Sequence, residues 1–212
     1  MGIRLKNKGQ FFLITAVMII VTLIILKTNV DIPSVVQKKR ELEGRFEKEF
    51  FINTANELVK TIEISYHQSN NITRNVHDFA NFTRKKMIER SLDFQFLYVG
   101  SITPNSSVPD KMNVSIINLL NKPINLTLIL NSTTPQTFNH DNMIDYNRND
   151  TSFDINQDTH YILTVSYNGT YEENVTIETE SKKSKYVGLF DITLIGSETT
   201  YKDKFQKSYT LP

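Results

Sequence analysis

Residues 124–131 read INLTLILN, and the alternation in this octapeptide decides what kind of fold surrounds it. Side chains along a strand point to opposite faces in turn. Ile124, Leu126, Leu128 and Leu130 therefore share one face, and Asn125, Thr127 and Asn131 share the other. Further along, Tyr161, Leu163, Val165 and Tyr167 oppose Thr164, Ser166 and Asn168, while Asn113 and Asn174 alternate with Val114 and Val175. From Phe94 onward the period of two predicts strands over 94–100, 112–119, 124–131, 160–167, 172–180, 186–196 and 203–210, with turns at Asn121-Lys122-Pro123 and Asn168-Gly169. Short strands at this spacing predict an antiparallel β-sandwich over residues 94–212, of Ig-like type.

Upstream of Phe94 the apolar period lengthens to that of a helix. Asn75 to Asp93 carries Val76, Phe79, Ala80, Met87, Ile88 and Leu92 on one side. Ser34 to about Tyr66 carries Leu42, Phe46, Phe50, Ala55, Leu58, Val59 and Ile62 at near-helical spacing, with Ser34 placed as N-cap and Gly44 as a weak point. Its charged residues from Lys38 to Glu49 alternate in sign, the pattern of a solvated helix face. Asp31-Ile32-Pro33 starts this region with a break, because proline disfavours helix in the residue before it. Polar Gln68 to Asn71 separates the two helices. Residues 31–93 are thus expected to form a helical stalk region packing onto the sandwich, and the fold class is α+β.

The only long apolar run is Phe11 to Leu26 (FFLITAVMIIVTLIIL), with Arg4, Lys6 and Lys8 before it and Lys27 after it. Twelve of its sixteen residues are Phe, Leu, Ile or Val, worth roughly −4 to −7 kcal/mol toward membrane insertion. As a helix the run covers about 24 Å, against a hydrocarbon core of roughly 30 Å. Snorkelling of Lys8 and Lys27 or local thinning of the bilayer makes up the difference. Lys27-Thr28-Asn29-Val30 offers no small-residue cleavage site, so the run is read as a retained transmembrane anchor over residues 10–30 and not as a secretory signal. A buried core helix is the alternative; an all-round apolar helix beside a basic N-terminus favours the membrane.

Lys8-Gly9-Gln10, directly before that run, resembles the class III signal peptide of archaeal type IV pilin-like proteins, in which a basic residue and glycine precede cleavage and glutamine opens the mature chain. The resemblance covers about the first 26 residues. It implies a leader over residues 1–9, removed between Gly9 and Gln10 by a prepilin-type peptidase, with the apolar helix kept for the membrane or for packing against other pilin-like subunits. It also implies a pilin-like β-domain behind the anchor. Many of these proteins carry glutamate at the fifth mature position, where this chain has Ile14. If that difference prevents assembly, the chain is a minor subunit or a solitary anchored protein.

Positive charge flanks both ends of the anchor, so charge alone orients it poorly. N-x-S/T triplets discriminate better. With 21 Asn and 37 Ser+Thr in 212 residues, chance gives roughly four such triplets, and the chain has nine. They stand at Asn71, Asn81, Asn105, Asn113, Asn125, Asn131, Asn149, Asn168 and Asn174, all beyond the anchor and mostly opposite the apolar faces of the strands. These asparagines are read as candidate N-glycosylation sites on an extracytoplasmic domain, with the N-terminus in the cytoplasm; an Asn- and Thr-rich composition is the alternative explanation.

Chemistry is sparse. Lys+Arg 24 against Asp+Glu 23 argues against nucleic acid as partner, since phosphate recognition needs a concentrated positive field. Arg84-Lys85-Lys86 with Arg90 is read as a solvated helix face. The chain has no Cys, which removes thiolate metal sites and cysteine nucleophiles. His67, His77, His140 and His160 are scattered, and Asp158-Thr159-His160 is a weak pair. Asp145, Asn147 and Asn149 mimic the opening of a calcium loop, but Asp150 and Asn156 fail its later positions, and Asn139 to Asp158 reads as a polar connection. No catalytic, cofactor or metal residues are assigned. The expectation is a membrane-anchored, non-enzymatic surface protein with a structural or adhesive role. A solitary anchored binding module is the alternative, followed by an anchored extracytoplasmic hydrolase.

Overall fold

The computed structural model describes residues 6–29, 32–68, 71–105, 110–169, 171–180, 182–197 and 199–211. The chain divides into two compact units, Met1–Phe46 and Glu47–Pro212. The first contains helix α1 (Lys6–Asn29) and the start of α2 (Ile32–His67). The leader expected over residues 1–9 falls partly outside the described residues, as does Asp31 of the expected break. Within α1, Thr15 and Thr22 donate their hydroxyls to the carbonyls of Phe11 and Met18, 2.9 and 2.7 Å away. That back-bonding satisfies the run's two polar side chains inside the helix itself. Every large apolar side chain of the run is exposed, from 44% at Val21 to 74% at Phe12. Among the described residues no helix is long and apolar enough to cross a membrane. The transmembrane helix expected over residues 10–30 is therefore not supported by the described residues.

The second unit is built in three layers. Its sandwich consists of a five-stranded sheet A, β5-β2-β1-β8-β9, and a four-stranded sheet B, β4-β3-β6-β7, with every pairing antiparallel. The strands are β1 (Asp93–Thr103), β2 (Asp110–Leu119), β3 (Ile124–Asn131), β4 (Gln136–Met143), β5 (Asn147–Ile155), β6 (His160–Tyr167), β7 (Tyr171–Glu178), β8 (Ser184–Ile195) and β9 (Thr200–Leu211). Leu126, Leu128 and Leu130 of β3 pack across the interior against Val99 of β1 and Val114 and Ile116 of β2. The outer face of sheet A is covered by residues 47–67 of α2 and by α3 (Ile72–Ile88). Leu58, Ile62, Val76, Ala80 and Met87 there meet Phe94, Phe96, Phe190 and Ile192. This covering explains why β1 and β8 are apolar on both faces.

Local chemistry accounts for the joints. Asn71 N-caps α3, its Oδ1 accepting from the Arg74 amide at 3.0 Å. The chain leaves α3 through Ser91 at φ 59°, which ends the helix at Ile88 and not at the expected Asp93. Asn121 (φ 62°), Asn168 (φ 54°) and Gly169 (φ 66°) sit in the left-handed region at the two turns read from the sequence. Gly100 and Gly188 face each other across β1 and β8. A Cβ at either would lie 1.8 or 2.2 Å from the Tyr98 or Tyr186 hydroxyl, so the glycine pair makes the notch in which those two rings lie.

Two strands are additional to the seven expected. The stretch Asn139 to Asp158, read from its composition as a polar loop, forms most of β4 and β5. Both are edge strands with one solvated face, so few apolar residues suffice to hold them: Met143 in β4, and Phe153 and Ile155 in β5.

Candidate functional site

Because the helices cover sheet A, the outer face of sheet B is the open wall of the unit Glu47–Pro212. Asn125, Asn131 and Asn174 point out of it, and Asn168 stands at its rim in the β6–β7 turn; all four are exposed. Asn71, Asn105 and Asn113 are exposed elsewhere, whereas Asn81 and Asn149 are half-buried. Parts of two triplets, at 106–107 and 170, lie outside the described residues. Lys8, Gly9 and Gln10 belong to the first turns of α1, and their side chains lie outside what the structure describes.

At one end of the sandwich an open cleft of about 1010 Å³ lies among the β3–β4 turn, the end of β5 and the start of β6. Its lining includes Asn131, Thr133, Gln136, Asp154, Asn156 and Thr159, with Lys111, His160, Tyr161 and Ile162. The walls are held by main-chain contacts. Gln136 donates from Nε2 to the Asp154 carbonyl (2.6 Å) and accepts the Asp154 amide at Oε1 (2.9 Å). The Tyr161 hydroxyl accepts from the Asn156 amide at 2.7 Å. The buried Thr179 hydroxyl donates toward the carbonyls of Asn156 and Thr159, 2.8 and 3.0 Å away. Ser132 and Thr159 donate their hydroxyls to the carbonyls of Thr134 and Gln157. These two hydroxyls point to main-chain oxygen, not to a histidine base, while the His160 ring lies 3.4 Å from Glu178. The lining mixes the charged Lys111 and Asp154 and the His160 ring with amide, hydroxyl and apolar side chains.

The four histidines are on separate elements: His67 ends α2, His77 is in α3, His140 in β4 and His160 in β6. Among the described residues no three His, Cys, Asp or Glu side chains converge to hold a metal ion. The residues that mimic the opening of a calcium loop stand on different elements. Asn147 and Asn149 belong to β5, and Asp145 is committed to Arg84.

That commitment corrects the reading of Arg84 as part of a solvated face. Its side chain is 7% exposed and forms a double hydrogen bond to Asp145 at 2.8 and 3.2 Å, with the guanidinium 4.0 Å from the Tyr146 ring centre. Asp145 Oδ1 also accepts from the Asn121 amide at 3.0 Å. Arg84 thereby ties α3 to two of the crossings between the sheets. A second buried charge lies inside β8. Asp191 accepts at Oδ2 from the Tyr167 hydroxyl at 3.0 Å, and Lys204 and Lys202 lie 3.5 and 3.8 Å away. Burial, and then the negative charge of Asp191, push the Tyr167 hydroxyl well above its ordinary range. In the sequence the signal for this group was a lone acid within the run YVGLFDITLI. No protein-family model, curated protein or solved structure matches the chain.

Proposed function

We propose that the chain is a membrane-anchored surface protein of the archaeal pilin-like kind. In this reading α1 is the anchor, the sandwich lies outside the cell in a structural or adhesive role, and no reaction is catalysed. The observation that carries it is α1 itself, apolar around its whole circumference, exposed along the run and with both hydroxyls bonded inward. A surface of that kind requires cover from lipid or from like helices. The run is about 24 Å long, so insertion draws on the stem of Lys27 and on local thinning to match a core of roughly 30 Å. Residues 1–9 are the leader, cleavage falls between Gly9 and Gln10, and the exposed asparagines of sheet B carry glycans. The supporting sequence features are Lys8-Gly9-Gln10 and the excess of N-x-S/T triplets.

Membrane fractionation combined with mass spectrometry of the native N-terminus tests this. The expected product begins at Gln10, resists carbonate extraction and dissolves in detergent. A chain beginning at Met1 or Gly2 counts against processing, and recovery from the cytosolic fraction without detergent overturns the reading. The cleft is the observation behind a second reading, a solitary anchored binding module. Electron microscopy of sheared surface filaments separates the two, because only a subunit appears in the filament.

A further inference from the structure

The triplets differ in which amide atom the fold uses. In four of them the oxygen is engaged: Asn71 Oδ1 accepts from the Arg74 amide (3.0 Å), Asn125 Oδ1 from the Asn142 amide (2.9 Å), Asn168 Oδ1 from the Asn125 amide (3.1 Å), and Asn174 Oδ1 from the Thr164 hydroxyl (2.7 Å). These four side chains are exposed, and Nδ2 makes no hydrogen bond to a described residue. In two others the nitrogen is engaged. Asn81 Nδ2 lies 3.2 and 3.1 Å from the His77 ring nitrogens, and Asn149 Nδ2 lies 3.0 Å from His140 Nδ1. Both of these side chains are half-buried.

N-glycosylation acts on that nitrogen. Nδ2 attacks the anomeric carbon of a lipid-phosphate-linked saccharide, a C–N bond forms as the C–O bond to phosphate breaks, the lipid phosphate leaves, and the nitrogen gives one proton to a base of the transferase. A nitrogen held against an imidazole ring must first be released, and a half-buried one must also be uncovered. Resting on the glycoprotein reading above, we infer that saccharide transfer acts on the folded domain and that the fold selects its sites. Asn71, Asn125, Asn168 and Asn174 are acceptors, while Asn81 and Asn149 are held back by His77 and His140. Three of these acceptors cluster on or beside the open face of sheet B, which becomes the saccharide-bearing wall.

Site-by-site mass mapping of the natively purified full chain tests the selection, with His77→Ala and His140→Ala chains from the same host mapped in parallel. Folding of each variant is checked by its circular dichroism. The expected map has saccharide on the four acceptors and none at Asn81 or Asn149, with at least a several-fold gain at Asn81 or Asn149 in the corresponding folded histidine variant. Occupancy of Asn81 and Asn149 equal to the others overturns the selection and leaves the glycoprotein reading standing. Bare Asn81 and Asn149 in both folded variants overturn the histidine clamp. Absence of saccharide from every triplet overturns both the reading and the inference.

Discussion

Arg84 is the residue whose loss should be felt furthest from its own position. Removing its side chain leaves the Asp145 carboxylate, itself only 22% exposed, without its bidentate partner. Breaking a pair of this kind costs more than an exposed ion pair, roughly 3 kcal/mol. Arg84→Ala is expected to lower the urea midpoint accordingly, and Arg84→Lys to recover only part of the loss, because a single ammonium cannot reproduce the fork. The glycine notch makes a second prediction. Gly100→Ala places a methyl within 2.2 Å of Tyr98 ring carbon in a fully buried site, and overpacking there should cost about 1–3 kcal/mol. The same tyrosines set the alkaline limit. Burial raises Tyr98 to about 12 from 10.0 and raises Tyr186 as well. A group whose folded-state value is raised contributes its stability below the unfolded value and loses it as pH climbs through the folded one. Unfolding midpoints should therefore fall between pH 10 and about pH 12. Tyrosinate absorbance from this pair should appear with unfolding and not before it.

Elements were legible in proportion to how strongly burial patterned them. β3 and β6 have the bounds read from the sequence, 124–131 and 160–167, because each is central in its sheet with one face buried and one wet. β4 and β5 were missed because each is paired on one side only, and QTFNHDNM needs little more than Met143 and a half-buried Phe138 to stay in place. Polar side chains replace apolar ones in holding this edge. Gln136 pairs with both backbone groups of Asp154, acting as one rung of a ladder between β4 of sheet B and β5 of sheet A. Gln136→Ala is expected to cost about 1–2 kcal/mol through the two lost bonds. It should also speed hydrogen exchange at the Asp154 amide well before global unfolding becomes visible. Unchanged protection at that amide would show that the rung is not what holds the edge.

At the scale of the whole chain, the triplets and the apolar run could be seen in sequence, whereas the cleft could not. It is assembled from the β3–β4 turn, the end of β5 and the start of β6, which meet only after the two sheets stack. Arg84 and Asp191 were hidden for the related reason that their partners Asp145 and Lys204 lie 61 and 13 positions away in the chain. The division into Met1–Phe46 and Glu47–Pro212 gives the last prediction. Among the described residues, both apolar clusters of the sandwich and its helices draw on residues from Phe50 onward. Glu47, at the start of the second unit, is buried and accepts a hydrogen bond from the Thr199 hydroxyl. A chain of residues 47–212 should therefore fold in a single cooperative transition, with a melting temperature within a few degrees of the full chain in detergent. It should also stay in solution without detergent, because the exposed side chains of Phe11 to Leu26 are gone. Calorimetry and sedimentation of the two chains make the comparison. A shortened chain that melts much lower, or without cooperativity, would mean that residues 1–46 contribute to the stability of the sandwich.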